Sequence, residues 1–277
     1  MGITLTPLQT RVISGAVFGA VVLAAVFMGG AAFVLLMAVM ASASAYEWGR
    51  MVLTGQEAPK LLFPIVALLS ALCALATAVA GNPAMTLWIL FAFCFLVYAF
   101  NASRGGPPVW LLCFGMVYTG FSIGVMLWLR NVTDDGLYNV LTLLLIVWAS
   151  DVSAYFSGRA VGGPKLAPTI SPNKTWAGFF GSSLGAAFVC FILALPPVVE
   201  KFSATPIGHM SPWGYAAMGF FLAMFGQAGD LFISLFKRRY GLKDTGALIP
   251  GHGGILDRID ALLLVAVIFG ALAVVLR

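Results

Sequence analysis

The sequence predicts an all-α, polytopic integral membrane protein of about nine transmembrane helices with a cytoplasmic N-terminus. Three observations carry that prediction. First, 61% of the 277 residues are hydrophobic and only 9% are charged, against roughly 25% charged in a soluble domain. Second, the apolar residues fall in runs of about 20, the length a helix needs to cross a hydrocarbon core, and lack the alternation of an outer-membrane barrel. Third, with the N-terminus inside, twelve of the fifteen Lys and Arg residues fall on the cytoplasmic side, leaving only Arg130, Lys201 and Arg277 on the far side. The opposite orientation would reverse that bias, against the positive-inside rule.

The expected spans are residues 12–29, 31–49, 61–80, 84–101, 108–129, 137–158, 176–199, 212–236 and 256–276. The first follows Arg11 without a small-residue cleavage site, so it is read as a retained helix and not a removed signal peptide. The second contains Glu47, in "SAYEWGR", which is expected to pair with Arg50 three residues on. The N-terminal five otherwise carry few polar anomalies. Cys73, Cys94, Cys113 and Cys190 all lie inside apolar runs with no CxxC spacing, so they are packing residues and neither a disulfide framework nor a zinc site is expected. The sixth holds Asp151, and the seventh is entered through "SPNKT", where Thr175 is the expected N-cap. The far-side loops are short and plain, and His209 in one of them is given no role. Two long cytoplasmic loops, 159–175 and 237–255, are rich in Gly, Pro and Lys. The expected division is therefore an N-terminal scaffold and lipid-facing bundle, 1–135, and a catalytic region, 136–277.

Three constellations in that second region carry chemistry. In "FGQAGDLFISLFKRR", Asp230, Ser234 and Lys237 share one helical face. A carboxylate and a hydroxyl are hard oxygen ligands of the kind Mg²⁺ prefers, and the ammonium suits a phosphate. The plainer reading is that Lys237 snorkels and pairs with Asp230. In "GHGGILDRID", Asp257 and Asp260 are three apart at the mouth of an apolar run. One acid there would complement the helix dipole; two acids, with a third from the neighbouring helix, suit a two-cation site that polarises a phosphoryl group. His252 stands as a general base or phosphate donor, or equally as a structural hydrogen-bonder. In "SDVSAYFSGRAVGGPKLAPTISPNKTWAG", Asp151, Tyr155 and Arg159 succeed one another by four. Arg159, Lys165 and Lys174 offer three cations, and the following helix N-terminus offers free N–H groups to a polyphosphate. No P-loop, GxGxxG or HExxH motif is present.

The run Ser234-Leu-Phe-Lys237-Arg238, then Lys243-Asp244, then Pro250-Gly-His252-Gly253-Gly254-Ile-Leu-Asp257-Arg258-Ile-Asp260 resembles the signature of the phosphatidate cytidylyltransferases, S-x-x-K-R, K-D, P-x-H-G-G, D-R-x-D. The segment from Ser150 through Ser171 to Gly178 is similar to that family's second cytoplasmic region. The likeness covers about 150–260 well and the N-terminal half only as a multi-helix pattern. Ala177 departs from it, standing where many members carry glutamate. The resemblance implies a reaction of CTP with phosphatidic acid to give CDP-diacylglycerol and pyrophosphate, dependent on Mg²⁺ with room for a second cation. The residues supply a mechanism that fits: Asp230, Asp257 and Asp260, helped by Ser234, would hold the cations. Lys237, Arg238, Lys243 and Arg258 would cover phosphate charge, and Lys165 and Lys174 would close over the triphosphate. The resemblance further implies a multi-pass protein of a bacterial inner membrane, cytoplasmic in its active site and homodimeric, with the lipid bilayer and no nucleic acid as partner.

A transporter would spread charges near the midplane and show inverted repeats; here the charges crowd on one face and the halves do not resemble each other. A CTP-dependent polyprenol kinase has related chemistry, and the P-x-H-G-G-x-x-D-R-x-D run argues against it.

Overall fold

The computed structural model describes residues 6–133, 135–202 and 210–276. His209 and Arg277, both placed on the far side above, lie outside the described residues. The element order is α1 (Pro7–Met28), α2 (Gly30–Val52), α3 (Leu62–Ala80), α4 (Pro83–Ala102), α5 (Trp110–Asn131), α6 (Gly136–Val161), β1 (Lys165–Ala167), β2 (Ser171–Thr175), α7 (Trp176–Leu193), α8 (Pro196–Phe202), α9 (Pro212–Arg239) and α10 (Leu256–Val275). All but α8 are long and apolar enough to cross a membrane, so the described residues hold the nine spans expected.

The boundaries differ where local chemistry overrides hydropathy. α1 starts five residues before residue 12, because Thr6 caps it: the Gln9 amide donates to Thr6 Oγ1 and the Thr6 amide donates to Gln9 Oε1, with Pro7 in the first turn. That reciprocal box pairs two otherwise orphaned donors. α7 stops at Leu193 and not at 199. Pro196 and Pro197 follow, and proline both lacks an N–H and forces its predecessor out of the helical region.

The chain forms two compact units: Met1–Asn131 with Phe236–Ile259, and Val132–Leu235 with Asp260–Arg277. Helices α9 and α10 contribute to both. In the first unit α2 packs on α3 and α5, and α4 on α3 and α5. Trp48, Phe33, Met37, Leu62, Leu112 and Met116 form its core, and the Trp48 indole donates to the Leu111 carbonyl at 2.9 Å. The cysteines are all free, as the sequence predicts, with Cys73 and Cys190 buried.

In the second unit α6 lies along α7. Gly181 and Gly185 present bare backbone to Ser157 and Ser153, so that any side chain there would collide with them; small residues allow such close helix approach in an apolar setting. The segment 159–175, read as a loop, is largely ordered structure. α6 runs on to Val161, and β1 and β2 pair antiparallel with Lys165 opposite Thr175 and Ala167 opposite Ser171. β2 leads without a break into α7, where the Gly178 amide donates to the side chain of Thr175 at 3.1 Å. The expected N-cap is in place.

Candidate functional site

The second unit contains a polar cavity of about 510 Å³. α6 supplies Asp151, Tyr155 and Arg159, whose spacing of four puts them on one wall. β2 supplies Asn173 and Lys174, and α9 supplies Gln227 and Asp230. Lys174 Nζ lies 2.6 Å from Asp230 Oδ2 and donates to Gln227 Oε1 at 2.7 Å. Ser234 Oγ donates to Asp230 Oδ1 at 3.2 Å, as their shared face predicts. Arg159 donates to the Tyr155 hydroxyl at 2.8 Å. Asp260 belongs to the same unit: it is buried, its Oδ1 accepts the Ala261 amide at 2.8 Å, and its carbonyl lies against Gly229, next to Asp230. Lys165 and Ser171 sit in the hairpin and are not among the residues lining the cavity.

The first unit holds a second acidic cluster, of different character. Asp257, in the first turn of α10, accepts Lys237 Nζ on Oδ1 at 2.8 Å. Its Oδ2 accepts the Thr245 amide at 2.8 Å, the Thr245 hydroxyl at 3.0 Å and the Gly254 amide at 3.0 Å. Only 3% of the Asp257 side chain is exposed. Lys237 therefore serves Asp257, while Asp230 has Lys174.

Glu47 does not pair with Arg50. Its carboxylate accepts the Ile255 amide at 3.0 Å and the Leu256 amide at 2.9 Å, and shares the single proton of the Thr245 hydroxyl, 2.9 Å away, with Asp257. The Arg50 guanidinium instead lies 5.9 Å from the Tyr46 ring centre. Glu47 is buried, and a buried carboxylate must be satisfied by donors. The first amides of a helix are orphaned donors at the positive end of its dipole, so α10 supplies what an exposed arginine cannot. His252 is tied to α1: its Nδ1 lies 2.8 Å from Ser14 Oγ, which also donates to the Pro250 carbonyl at 2.8 Å. Arg238 donates to the Leu242 carbonyl at 3.3 Å, and Lys243 and Arg258 are exposed.

Among the described residues no three His, Cys, Asp or Glu side chains gather as a ready-made metal cage. Mg²⁺ does not need one, since it takes one or two carboxylates and completes its shell from water and substrate phosphate. Asp151 and Asp230 on the cavity wall fit that requirement. Asp257 takes four donors on its two oxygens and is closed to solvent, whereas Asp230 accepts Ser234 on one oxygen and Lys174 on the other and stays partly open, so Asp230 fits it better. The residues the sequence reading passed over are Gln227, Asn173, Thr245 and Ser14. Of these Gln227 carried a signal, a polar side chain three residues before Asp230 inside an apolar run.

Residues 9–276 match the model of the cytidylyltransferase family. A protein of Brucella abortus named phosphatidate cytidylyltransferase is 37% identical over 270 residues, covering 96% of this chain and 94% of its own length. Proteins of the same name from Staphylococcus epidermidis and Haemophilus influenzae are 45% identical over 150 residues and 42% identical over 146. These shorter matches cover 54% and 51% of this chain, and 53% and 49% of theirs.

Proposed function

The chain belongs to the cytidylyltransferase family, and from that premise we propose that it is a phosphatidate cytidylyltransferase. It moves the cytidylyl group of CTP onto phosphatidate, giving CDP-diacylglycerol and pyrophosphate. The observation that carries this reading is the identity shared with a protein of that name along 94% of that protein's length. The polar cavity supports it, because acids and bases line one wall system there within a unit built of membrane helices.

In the reaction an ionised phosphate oxygen of phosphatidate attacks the α-phosphorus of CTP. The bond from that phosphorus to the β-bridging oxygen breaks, and pyrophosphate carries the charge away. Both reactants are anions, so their repulsion must be neutralised before they meet. Lys174 is the chief cation for this, presented on the hairpin and steered by Asp230 and Gln227. Arg159 offers a second, its guanidinium held by Tyr155. Lys165, Ser171, Arg238, Lys243 and Arg258 are assigned to the phosphates and their approach. Mg²⁺, when bound, would screen phosphate charge and make the α-phosphorus more electrophilic. Asp151 and Asp230 are the residues to hold it, with Ser234 orienting Asp230, and Asp260 is kept as a further carboxylate of the same unit. No strong base is needed for a nucleophile already ionised, so His252 is assigned to the shape of the 237–255 segment. Asp257 and Lys237 neutralise each other and anchor that segment.

The reading also places the enzyme in a bacterial inner membrane as a homodimer, with the cavity open to the cytoplasm. Residues 136–277 carry most of the chemistry and 1–135 most of the scaffold. The test is to incubate purified protein with α-labelled CTP, phosphatidate and Mg²⁺. Label should enter a lipid-soluble product, and omission of Mg²⁺ should abolish this. Label that stays wholly aqueous, beside an active relative run in parallel, would sink the proposal.

A further inference from the structure

Helix α2 reaches into the segment bearing the P-x-H-G-G and D-R-x-D run through one side chain, Glu47. Its carboxylate holds the two amides at the start of α10, those of Ile255 and Leu256. It also accepts the Thr245 hydroxyl, which lies in turn 3.0 Å from Asp257. Glu47 thus does from 208 residues away what an N-cap normally does from the residue beside its own helix, and it does so for the helix whose first turn carries Asp257. We propose that Glu47 is a positioning residue for cytidylyl transfer: it fixes Thr245 and the α10 N-terminus, and through them the 237–255 segment assigned above to the substrate phosphates. This inference rests on that assignment.

Two glycines support it independently of the hydrogen bonds. A side-chain carbon added at Gly246 would meet the Glu47 carboxyl group, and all three of its nearest neighbours would be Glu47 atoms. One added at Gly254, the second glycine of the P-x-H-G-G run, would meet Glu47 and the Thr245 hydroxyl. The glycine at Gly254 is then explained by packing: its missing side chain is the space into which α2 delivers a carboxylate. Gly246, outside the run, is explained in the same way.

The experiment uses the full chain purified in detergent or nanodiscs, and reads both CTP kinetics and amide hydrogen exchange of residues 244–257. Glu47→Leu removes all three contacts. It should speed exchange of the Ile255 and Leu256 amides at least about tenfold and lower kcat about 30-fold, or about 2 kcal/mol at 1.36 per decade. Glu47→Gln keeps the oxygen that serves both Leu256 and Thr245 and loses only the acceptor for the Ile255 amide, and should recover most of that kcat. Gly246→Ala removes no polar group, yet it should reproduce the Glu47→Leu exchange pattern by displacing the carboxylate. With Glu47→Ala already present, Gly246→Ala should add no more than about twofold, the signature of coupled sites. Wild-type exchange at Ile255 and Leu256 in Glu47→Leu would overturn the proposal, as would full additivity of Gly246→Ala with Glu47→Ala. Should Glu47→Leu fail to fold, Gly246→Ala and the double variant decide. If the wild-type chain transfers no cytidylyl group, the proposed function falls, and the exchange pattern still decides whether Glu47 holds α10.

Discussion

The two Asp–Lys pairs invite comparison because they are built alike and situated differently. Asp230 meets Lys174 at 2.6 Å with 31% and 20% of the side chains exposed, whereas Asp257 meets Lys237 at 2.8 Å with 3% and 11% exposed. The first pair lines a cavity, and its lysine sits on a two-stranded hairpin. The second is enclosed by Thr245 and Gly254 donors. An ion pair with access to water is worth little, about 0–1 kcal/mol, and can be opened at small cost. One that has lost its water is costly to break on one side, about 3–5 kcal/mol, because a charge is left stranded. Proximity of opposite charges therefore does not identify a reactive site; the ease of parting them does. By that criterion the Asp230 pair is the one more easily opened and the Asp257 pair the one more tightly held, as the proposed roles of the two require.

Asp230→Asn breaks the comparison at its most sensitive point. It keeps the size of the side chain and a partner for Ser234, and removes the negative charge from the cavity wall. Cytidylyl transfer should fall by about 10³-fold or more, in the range seen when a group that stabilises transition-state charge is removed. Thermal unfolding in detergent should move by about 1 kcal/mol, the upper end for a pair that still reaches water. A variant that retains a tenth of the rate would remove Asp230 from the chemistry.

Asp257→Asn should have the opposite profile. Lys237 loses its counter-charge in a buried place, so the midpoint of thermal unfolding should fall by the equivalent of about 3 kcal/mol. Activity should fall with the folded fraction and somewhat further, since Asp257 ties down the same segment as Glu47, but by less than the loss expected of Asp230→Asn. The sharper experiment adds Lys237→Met, which removes the stranded charge. The double variant should regain most of the stability lost by Asp257→Asn alone. A single variant as stable as wild type but inactive would reverse the assignment and make Asp257 a group that touches substrate or metal.

The contrast also explains what was legible in the sequence. The nine spans were readable because length and hydropathy are local properties, and Thr175 was readable because a cap acts three residues along its own chain. The Asp230–Ser234 contact was readable for the same reason, being one helical turn. Lys174 with Asp230 was not, since the hairpin that delivers the lysine was read as a loop. Glu47 was misread outright: the local rule favoured Arg50, three residues on, over amides 208 and 209 positions along the chain. Burial decided that contest, and burial belongs to the fold and not to the window of sequence around a residue. The acids were thus found from sequence by type, while their partners depended on tertiary structure.

The smallest effect tests whether the hairpin is as important to the open pair as the comparison requires. Thr175 is buried, ends β2 and caps α7 through the Gly178 amide. Its immediate predecessor, Lys174, is the lysine of the open pair. Thr175→Ala leaves the Gly178 amide without its partner and should cost about 1 kcal/mol of stability, the usual worth of an N-cap. Because the cap also fixes the direction in which β2 leaves α7, KM for CTP should rise by about threefold while kcat stays within about twofold. Thr175→Ser keeps the hydroxyl and should restore both quantities. If Thr175→Ala lowers stability but leaves KM unchanged, the placement of Lys174 comes from the β1–β2 pairing alone, and the helix cap is a matter of folding with no bearing on substrate.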